Sequence, residues 1–448
     1  MRILHYALGL PPYRQNGGLT KYVQDLINHQ SKTHQVFLLY AAGVSVPFKT
    51  LKVREEKKYP HFRLFRIENS IPVSLFYGIK DYSIIDDSNM DLSRFNEFLK
   101  EINPEIIHIH SCMGLGINIM QCLKNSGASL IFTSHDFFGL CTKVNLIDSN
   151  RNFCVQRDPL NCSRCNATSP GSAFLRIRNS PILNSLKKYL PRKSILKTTQ
   201  KMQDHSLLKN KNEKEYCKIL RSYERIFSLI DAFHFNSDLT AAIYKSYLPE
   251  IKRSKVIPIT HGGIKDRRKI KQFGGIVRLT HIGGIMPHKG LPILLDVLED
   301  LYQSGYRNWQ LNIWGSEVEP IFSDALPIKS NGIYSQDQLK LIYDSTDLLI
   351  VPSICPETFN FGALEALSFG VPILLSSNVG AKCLLKTIDD NFIYSNDSEL
   401  KEKLLLVLNN IHILETYNKK ICDAVIQFDI EQHSDEILDY YTEVIRLK

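Results

Sequence analysis

Long apolar runs are missing from this chain. None approaches the roughly 18 consecutive residues needed to cross a bilayer as a helix. The opening Met1-Arg-Ile-Leu-His-Tyr-Ala lacks a signal-peptide cleavage pattern and reads instead as a first strand. There is no tandem repeat and no low-complexity tract. No nucleic-acid-binding motif accompanies the basic residues, so nucleic acid is not an expected partner. These absences leave a globular, cytoplasmic protein as the expectation.

What is present supports sizeable cores. With 448 residues, 44% of them hydrophobic and 23% charged, the chain should form two domains. The net charge of +9 is local. Residues 171–225 hold fourteen Lys or Arg against four Asp or Glu, a balance of +10, so the remainder sums to −1. Arg176, Arg178, Lys187, Lys188, Arg192, Lys193 and Lys197 alternate there with Leu175, Ile177, Ile182, Leu183, Leu186, Tyr189 and Leu190. Such interleaving suits either a segment lying on an anionic membrane surface, peripheral at the inner face, or a solvated helical insertion packed on its own domain.

Both halves alternate strand and helix patterns, the signature of an α/β chain with doubly wound parallel sheets. In the first half Arg2–Tyr6, Gln35–Tyr40, Ile106–His110, Leu130–Ser134, Phe233–Asn236 and Lys255–Pro258 read as strands. In the second, Ile276–Ile282, Trp309–Trp314, Asp347–Val351 and Val371–Leu375 do so. The glycine-flanked stretch His261–Gly275 reads as a hinge. The expected divisions are a first Rossmann-like domain at 1–265 with a Cys-rich and basic insertion at about 141–225, a second at 276–428, and a terminal helix at 429–448 that carries Ile437, Leu438, Tyr441 and Val444 at helical spacing.

The densest chemistry lies in Pro356-Glu-Thr-Phe-Asn-Phe-Gly-Ala-Leu-Glu365-Ala-Leu-Ser-Phe-Gly370-Val-Pro372. It follows an apolar strand, so Glu357 should stand near the carboxyl end of a sheet strand, where open α/β sheets bind ligands. A helix should start near Asn360 or Phe361 and stop at Gly370, placing Glu365 about one turn in. Free N–H groups at that start suit an anion, and Glu365 can accept from a neutral polyol. After the first strand, Gly17-Gly18 opens another helix, a turn through which backbone can approach a phosphate. In the second half, Gly283-Gly284-Ile-Met-Pro-His288-Lys289-Gly290 places an ammonium after a strand, and His135 closes the strand Leu130–Ser134. His108 and His110 alternate along a strand and read as packing or hydrogen-bonding groups.

The Pro-Glu, Phe, Leu-Glu-Ala and Gly-Val-Pro elements of 356–372 resemble the signature of retaining glycosyltransferases of family 4, which have the GT-B fold. The resemblance spans 1–140 and 230–448. It implies two Rossmann-like domains facing a cleft, a nucleotide-diphosphate sugar as donor, and a glycan or lipid-linked acceptor, plausible in surface polysaccharide biosynthesis. It further implies that Glu357 and His135 act on the donor sugar near the reaction centre. Gly17, Gly18, Gly283, Lys289, Tyr334, Phe359, Asn360, Phe361 and Glu365 would bind the donor, with Tyr334 bordering the base and Glu365 the ribose. The terminal helix would return to the first domain. No Asp-x-Asp motif occurs, which fits neutralisation of the diphosphate by protein groups and no cofactor for catalysis. Two positions depart from the family pattern: Gly284 stands where an arginine is usual, with Arg14, Arg278 or His288 as candidate replacements, and Asn360 stands where glycine is common. A sugar-nucleotide epimerase of GT-B architecture, or a non-catalytic sugar-nucleotide-binding partner of another transferase, are the alternative readings.

The resemblance leaves about 141–225 uncovered, and there Cys141, Cys154, Cys162 and Cys165 fall in a C-x12-C-x7-C-x2-C pattern. Four thiolates with one close pair can close a structural zinc site. Unligated thiols, or disulfides in a less reducing compartment, are the alternatives.

Overall fold

The computed structural model describes residues 1–9, 17–45, 48–56, 59–149, 152–178, 212–316 and 322–448. Its strands are β1 Arg2–Ala7, β2 Gln35–Ala41, β3 Lys52–Glu55, β4 Arg63–Glu68, β5 Ile106–Ile109, β6 Ser129–Ser134, β7 Ala232–Phe235, β8 Ser254–Val256, β9 Val277–Ile282, β10 Trp309–Trp314, β11 Ile328–Ser330, β12 Leu348–Val351, β13 Ile373–Ser376 and β14 Ile393–Tyr394. The α-helices, numbered among the described residues, are α1 Gly18–Gln30, α2 Ser93–Ile102, α3 Ile117–Asn125, α4 Pro159–Cys165, α5 Ser172–Arg178, α6 Glu213–Ser228, α7 Asp238–Tyr247, α8 Leu291–Gln303, α9 Leu339–Asp344, α10 Phe361–Ser368, α11 Lys382–Leu385, α12 Asp397–Asn409, α13 His412–Asp423 and α14 Ile430–Arg446. The chain divides into two compact units. One holds Met1–Phe235, Ala241–Ile257 and Ile430–Lys448; the other holds Asn236–Thr240 and Pro258–Asp429.

The first unit is built on an eight-stranded sheet in the order β3-β4-β2-β1-β5-β6-β7-β8. All its pairs are parallel except β3 with β4. Its central strands are sealed from water, with every residue of β5, β6 and β7 buried, which is why they read as near-continuous apolar runs. The strands β3 and β4 escape that reading because they are charged. Arg63 pairs with Glu55 and Arg66 with Glu56 and Glu68, while Arg54 also reaches Glu68. Charge along the β3 edge discourages pairing with another chain.

The terminal helix α14 belongs to this first unit. Its buried stripe of Ile430, His433, Ser434, Ile437, Tyr440, Tyr441 and Val444 follows the 3–4 residue spacing of one helix face. Burying residues such as Ile437 and Val444 is worth about 1.5–3 kcal/mol each. The helix is pinned to α1 and the turn after it by Lys32 to Glu431 at 2.6 Å, His29 to Asp435 at 3.1 Å and Tyr22 to His433 at 3.0 Å.

The second unit carries six parallel strands in the order β11-β10-β9-β12-β13-β14. The order reverses between β9 and β12, the switch point at which such sheets open a crevice beyond their carboxyl ends. Among the described residues no helix is long and apolar enough to cross a membrane. Lys187, Lys188, Arg192, Lys193 and Lys197 of the basic stretch lie outside the described residues. Of its described members, Arg176 on α5 donates to the Ser70 carbonyl at 2.9 Å and Arg178 stacks over Tyr77, so these two serve packing within their unit, while Lys214, Lys218, Arg221 and Arg225 are exposed on α6.

Candidate functional site

In the second unit, three loops at the carboxyl ends of neighbouring strands are stitched together. The turn after β9, Pro287–Lys289, ends at Gly290, whose φ of +75° suits glycine. A side chain there would begin 1.6 Å from the Pro352 carbonyl oxygen, so only glycine admits the loop that follows β12. That loop returns the contact, since the Ile354 N–H donates to the His288 carbonyl at 2.9 Å. Further along, the Glu357 N–H donates to the Asn378 carbonyl and the Gly380 N–H donates to the Glu357 carbonyl, each at 2.9 Å, tying Glu357 to the loop after β13. Glu357 therefore sits several residues past its strand, fixed by backbone on both sides.

This stitching brings Lys289, Glu357 and Asn360 into one cluster. Lys289 Nζ lies 3.0 Å from Glu357 Oε1, the Ser353 hydroxyl donates to the same oxygen, and Asn360 Nδ2 donates to Glu357 Oε2 at 2.9 Å. Burial alone would favour the neutral acid, yet Lys289 together with Ser353 and Asn360 outweighs it and holds the Glu357 carboxyl below its ordinary range. Asn360 has a second task. Its Oδ1 accepts from the Ala363 N–H at 2.9 Å and so caps α10, while its own φ is +116°. An asparagine at a position that strains other side chains thus links the carboxylate to the helix start.

Glu365, one turn into α10, belongs to a neighbouring cluster. Tyr343 donates to Glu365 Oε2 at 3.2 Å and His261 Nε2 stands 3.6 Å from Oε1. Tyr334 is close enough to feel that carboxylate; burial first, then Glu365, pushes its phenol up to about 12. Phe359 is 2% exposed and packs edge-on against Phe361, which in turn meets the His261 ring. Gly283 and Gly284 lead from β9 toward Lys289, and no atom stands within 4 Å of where a Gly284 side chain would begin. Among the candidate replacements for an arginine there, Arg278 is committed elsewhere, forked onto Asp347 at 2.9 and 2.5 Å. Arg14 lies outside the described residues. His288 is present in the loop, but burial, then Lys289, shifts its imidazole toward the neutral form.

His135, Gly17 and Gly18 lie in the first unit. Gly17 precedes α1 in an extended conformation and its carbonyl accepts from the Lys21 N–H. His135 follows β6 and touches His110, Nε2 to Nδ1, at 3.1 Å, with the Tyr22 ring 5.1 Å away. His108 and His110 are buried and hydrogen-bonded, in keeping with a packing role. Sequence reasoning missed their companions His5, Gln30, Thr133, His234 and Tyr441. The available signal was that β1, β5 and β7 each bear an imidazole amid apolar residues.

Cys141, Cys154, Cys162 and Cys165 line a single cavity of about 170 Å³. Cys162 and Cys165 come from α4, which starts at Pro159 with Asp158 accepting from the Leu160 and Asn161 N–H groups. Burial, then the neighbouring cysteines, pushes Cys154 up to about 12 and Cys165 up to about 11, so these thiols favour the protonated state unless a cation joins them. The Lys143 N–H donates to Cys141 Sγ at 3.3 Å. Among the described residues, however, the one group with three candidate ligand atoms within 4.8 Å of one another is His5, His108 and His110. The sulfurs stand wider apart than a closed tetrahedral set requires.

Comparison with known proteins agrees with this architecture. No curated protein matches the chain in sequence. In structure it is similar over 100% of its length, and 99% of the other chain, to a sucrose-phosphate synthase from Thermosynechococcus elongatus, with a TM-score of 0.59 at 13% identity. An alpha,alpha-trehalose-phosphate synthase (UDP-forming) from Burkholderia xenovorans gives 0.57 at 11% identity, covering 98% of this chain and 100% of that one. WaaG, a glycosyltransferase involved in lipopolysaccharide biosynthesis, gives 0.54 at 14% identity, covering 98% and 99%. These likenesses establish the GT-B fold. Residues 277–410, which contain Lys289, Glu357, Asn360 and Glu365, match the family described as "Glycosyl transferases group 1", so the chain has the GT-B fold with a second unit similar to that family.

Proposed function

We propose that the protein is a retaining glycosyltransferase that moves a sugar from a nucleotide-diphosphate donor to a glycan or lipid-linked acceptor in surface polysaccharide biosynthesis. The observation that carries this reading is the Lys289–Glu357–Asn360 cluster at the switch point of the second sheet, beside the start of α10. An ammonium beside the diphosphate neutralises charge that grows on the leaving group as the glycosidic bond breaks. An arriving phosphate would compete with Glu357 for Lys289, and the released carboxylate would be free to accept from sugar hydroxyls. Glu365, steadied by Tyr343 and His261, has the acceptor oxygens a ribose diol needs. In this reading the leaving phosphate helps deprotonate the attacking hydroxyl on the same face of the sugar, so Glu357 orients the donor and forms no covalent intermediate. Protein groups stabilise the leaving diphosphate, and the catalytic step requires no metal.

The donor is identified by a thermal-shift screen with UDP-, GDP- and ADP-sugars, since a ligand that binds the native state raises its stability by mass action. Transfer, or slow donor hydrolysis, is then assayed with Glu357→Ala and Lys289→Ala. Turnover unaffected by both would sink the assignment.

For localisation we propose the cytoplasm, with peripheral attachment to the inner membrane face through the basic stretch. Neutralising Lys187, Lys188, Arg192 and Lys193 should lower cosedimentation with anionic vesicles, and unchanged cosedimentation would count against attachment. For the cysteine pocket we propose a structural zinc, on the ground that four thiols line one cavity. Binding would draw the sulfurs inward and deprotonate them. About one zinc per purified chain supports the site, and a metal-free, fully folded protein rejects it.

A further inference from the structure

A row of polar groups crosses the first sheet from β1 to the end of β8, and its bonds have only one self-consistent direction. The Ile257 carbonyl can only accept, so His234 Nε2, 2.8 Å away, carries a proton. A neutral imidazole has one proton, so His234 Nδ1 accepts, and the Thr133 hydroxyl donates to it at 2.8 Å. With its proton committed, Thr133 Oγ1 accepts from His108 Nε2–H at 2.5 Å. His108 Nδ1 therefore accepts from the Tyr441 hydroxyl, also at 2.5 Å. The Tyr441 oxygen accepts from Gln30 Nε2 across 3.5 Å, the longest link. Gln30 Oε1 accepts from His5 Nε2–H at 2.9 Å, and His5 Nδ1 accepts from His110 Nε2–H at 3.0 Å. His110 Nδ1 is left as an acceptor for His135 Nε2–H at 3.1 Å.

Neutral rings are what the surroundings demand. Burial brings His5 and His234 down to about 4 and lowers His108, His110 and His135 well below the ordinary histidine value. All six ring nitrogens of His5, His108 and His110 take part in the row, so a metal could enter their cluster only by breaking it.

We propose that this row is a tautomer lock: anchored on the Ile257 carbonyl, it holds His135 with its proton on Nε2 and makes Nδ1 its acceptor atom. Thr133, Gln30 and Tyr441 are then positioning residues, acting on His135 through other groups. Because the anchor has no proton to give, the row fixes polarity and conducts no net proton. The consequence is one of ligand class. A ligand group that meets His135 at Nδ1 must donate, as a sugar hydroxyl can and a phosphate oxygen cannot. This rests on the reading that His135 meets the donor sugar.

The test uses the full chain labelled with ¹⁵N-histidine, with the ring signals assigned by single substitutions and read in long-range proton–nitrogen correlation spectra. The wild type should show His135 as a single Nε2–H tautomer that added zinc leaves unchanged. Thr133→Val, nearly isosteric, removes the link between His108 and His234; His135 should then show both tautomers, with kcat down about tenfold and KM for the donor little altered. Thr133→Ser should restore one tautomer and the rate. A wild-type proton on Nδ1, a His135 tautomer indifferent to Thr133→Val, or zinc-dependent shifts at His5, His108 and His110 would overturn the lock. Full activity of His135→Ala would instead remove His135 from the donor reading while leaving the spectroscopic result standing.

Discussion

The two units gather polar side chains near the switch points of their sheets, and they do so by opposite means. In the second unit the groups are ionic: Lys289 and Glu357 face each other at 3.0 Å, and the carboxylate stays charged because its partners outweigh its burial. In the first unit they are neutral: imidazoles, a phenol, an amide and a hydroxyl are joined end to end, and burial keeps the rings uncharged. The difference teaches which property each cluster can be asked to supply. A charged pair supplies field, which a developing diphosphate can use. A neutral row supplies direction, which fixes where a hydrogen bond is offered and where one is accepted.

Substitutions can break each half of that contrast separately. The largest effect is expected from Lys289→Ala, which should lower kcat for transfer about 100- to 1,000-fold by removing charge from the leaving-group site. Initial rates for Lys289→Ala, Glu357→Gln and the double variant would show whether the pair acts as a unit, in which case the losses are far from additive. Acid should next separate the units. A histidine whose pKa falls from 6.5 in the unfolded chain to about 4 when folded stabilises the fold fully above pH 6.5 and loses that contribution as pH falls toward 4. His5 and His234 each stand to lose roughly 3 kcal/mol across that window, so urea unfolding should weaken markedly from pH 7.5 to pH 5. His5→Gln should flatten that dependence.

Smaller effects sharpen the ionic side. Asn360→Ala removes the cap on α10 and leaves a side chain at a strained φ, for an expected loss of about 1–2 kcal/mol in thermal denaturation. Asn360→Gly should lose less, because glycine accepts that backbone freely. Tyr343→Phe removes one donor to Glu365 and should raise KM for the donor about two- to threefold, leaving kcat near normal.

Much of this architecture can be read from residue patterns, and the illegible remainder has physical causes. The central strands β1, β5, β6, β9 and β12 are apolar because parallel sheets are covered on both faces, and that composition announces them. The strands β3 and β4 stay hidden because Arg54, Arg63 and Arg66 and their glutamates look like a solvated run until the sheet pairs them. The start of α10 at Phe361 is visible from the asparagine, glycine and apolar pattern around it. The bond from Asn360 back to Glu357 is not, because it depends on a loop held by Asn378 and Gly380. The histidine row is the hardest case: Gln30 and Tyr441 lie 411 residues apart, and Thr133 and His234 lie 101 apart. No local period encodes such partners. Arg278 shows the converse, a cation that sequence alone leaves available and that Asp347 in fact holds.

The helix α14 gives the first unit an unusual history. Its Tyr441 joins His108 to Gln30 in the middle of the row, and its Tyr440 donates to the Phe233 carbonyl at 3.1 Å. On the ribosome, where chains usually fold from the amino end as they emerge, this unit must wait for its final helix, while residues 258–429 can condense without interruption. The part of the molecule made first is thus completed only after residues 258–429 have been made, and a chain truncated before residue 430 would keep the residues of the second unit while its His135 lost its reference.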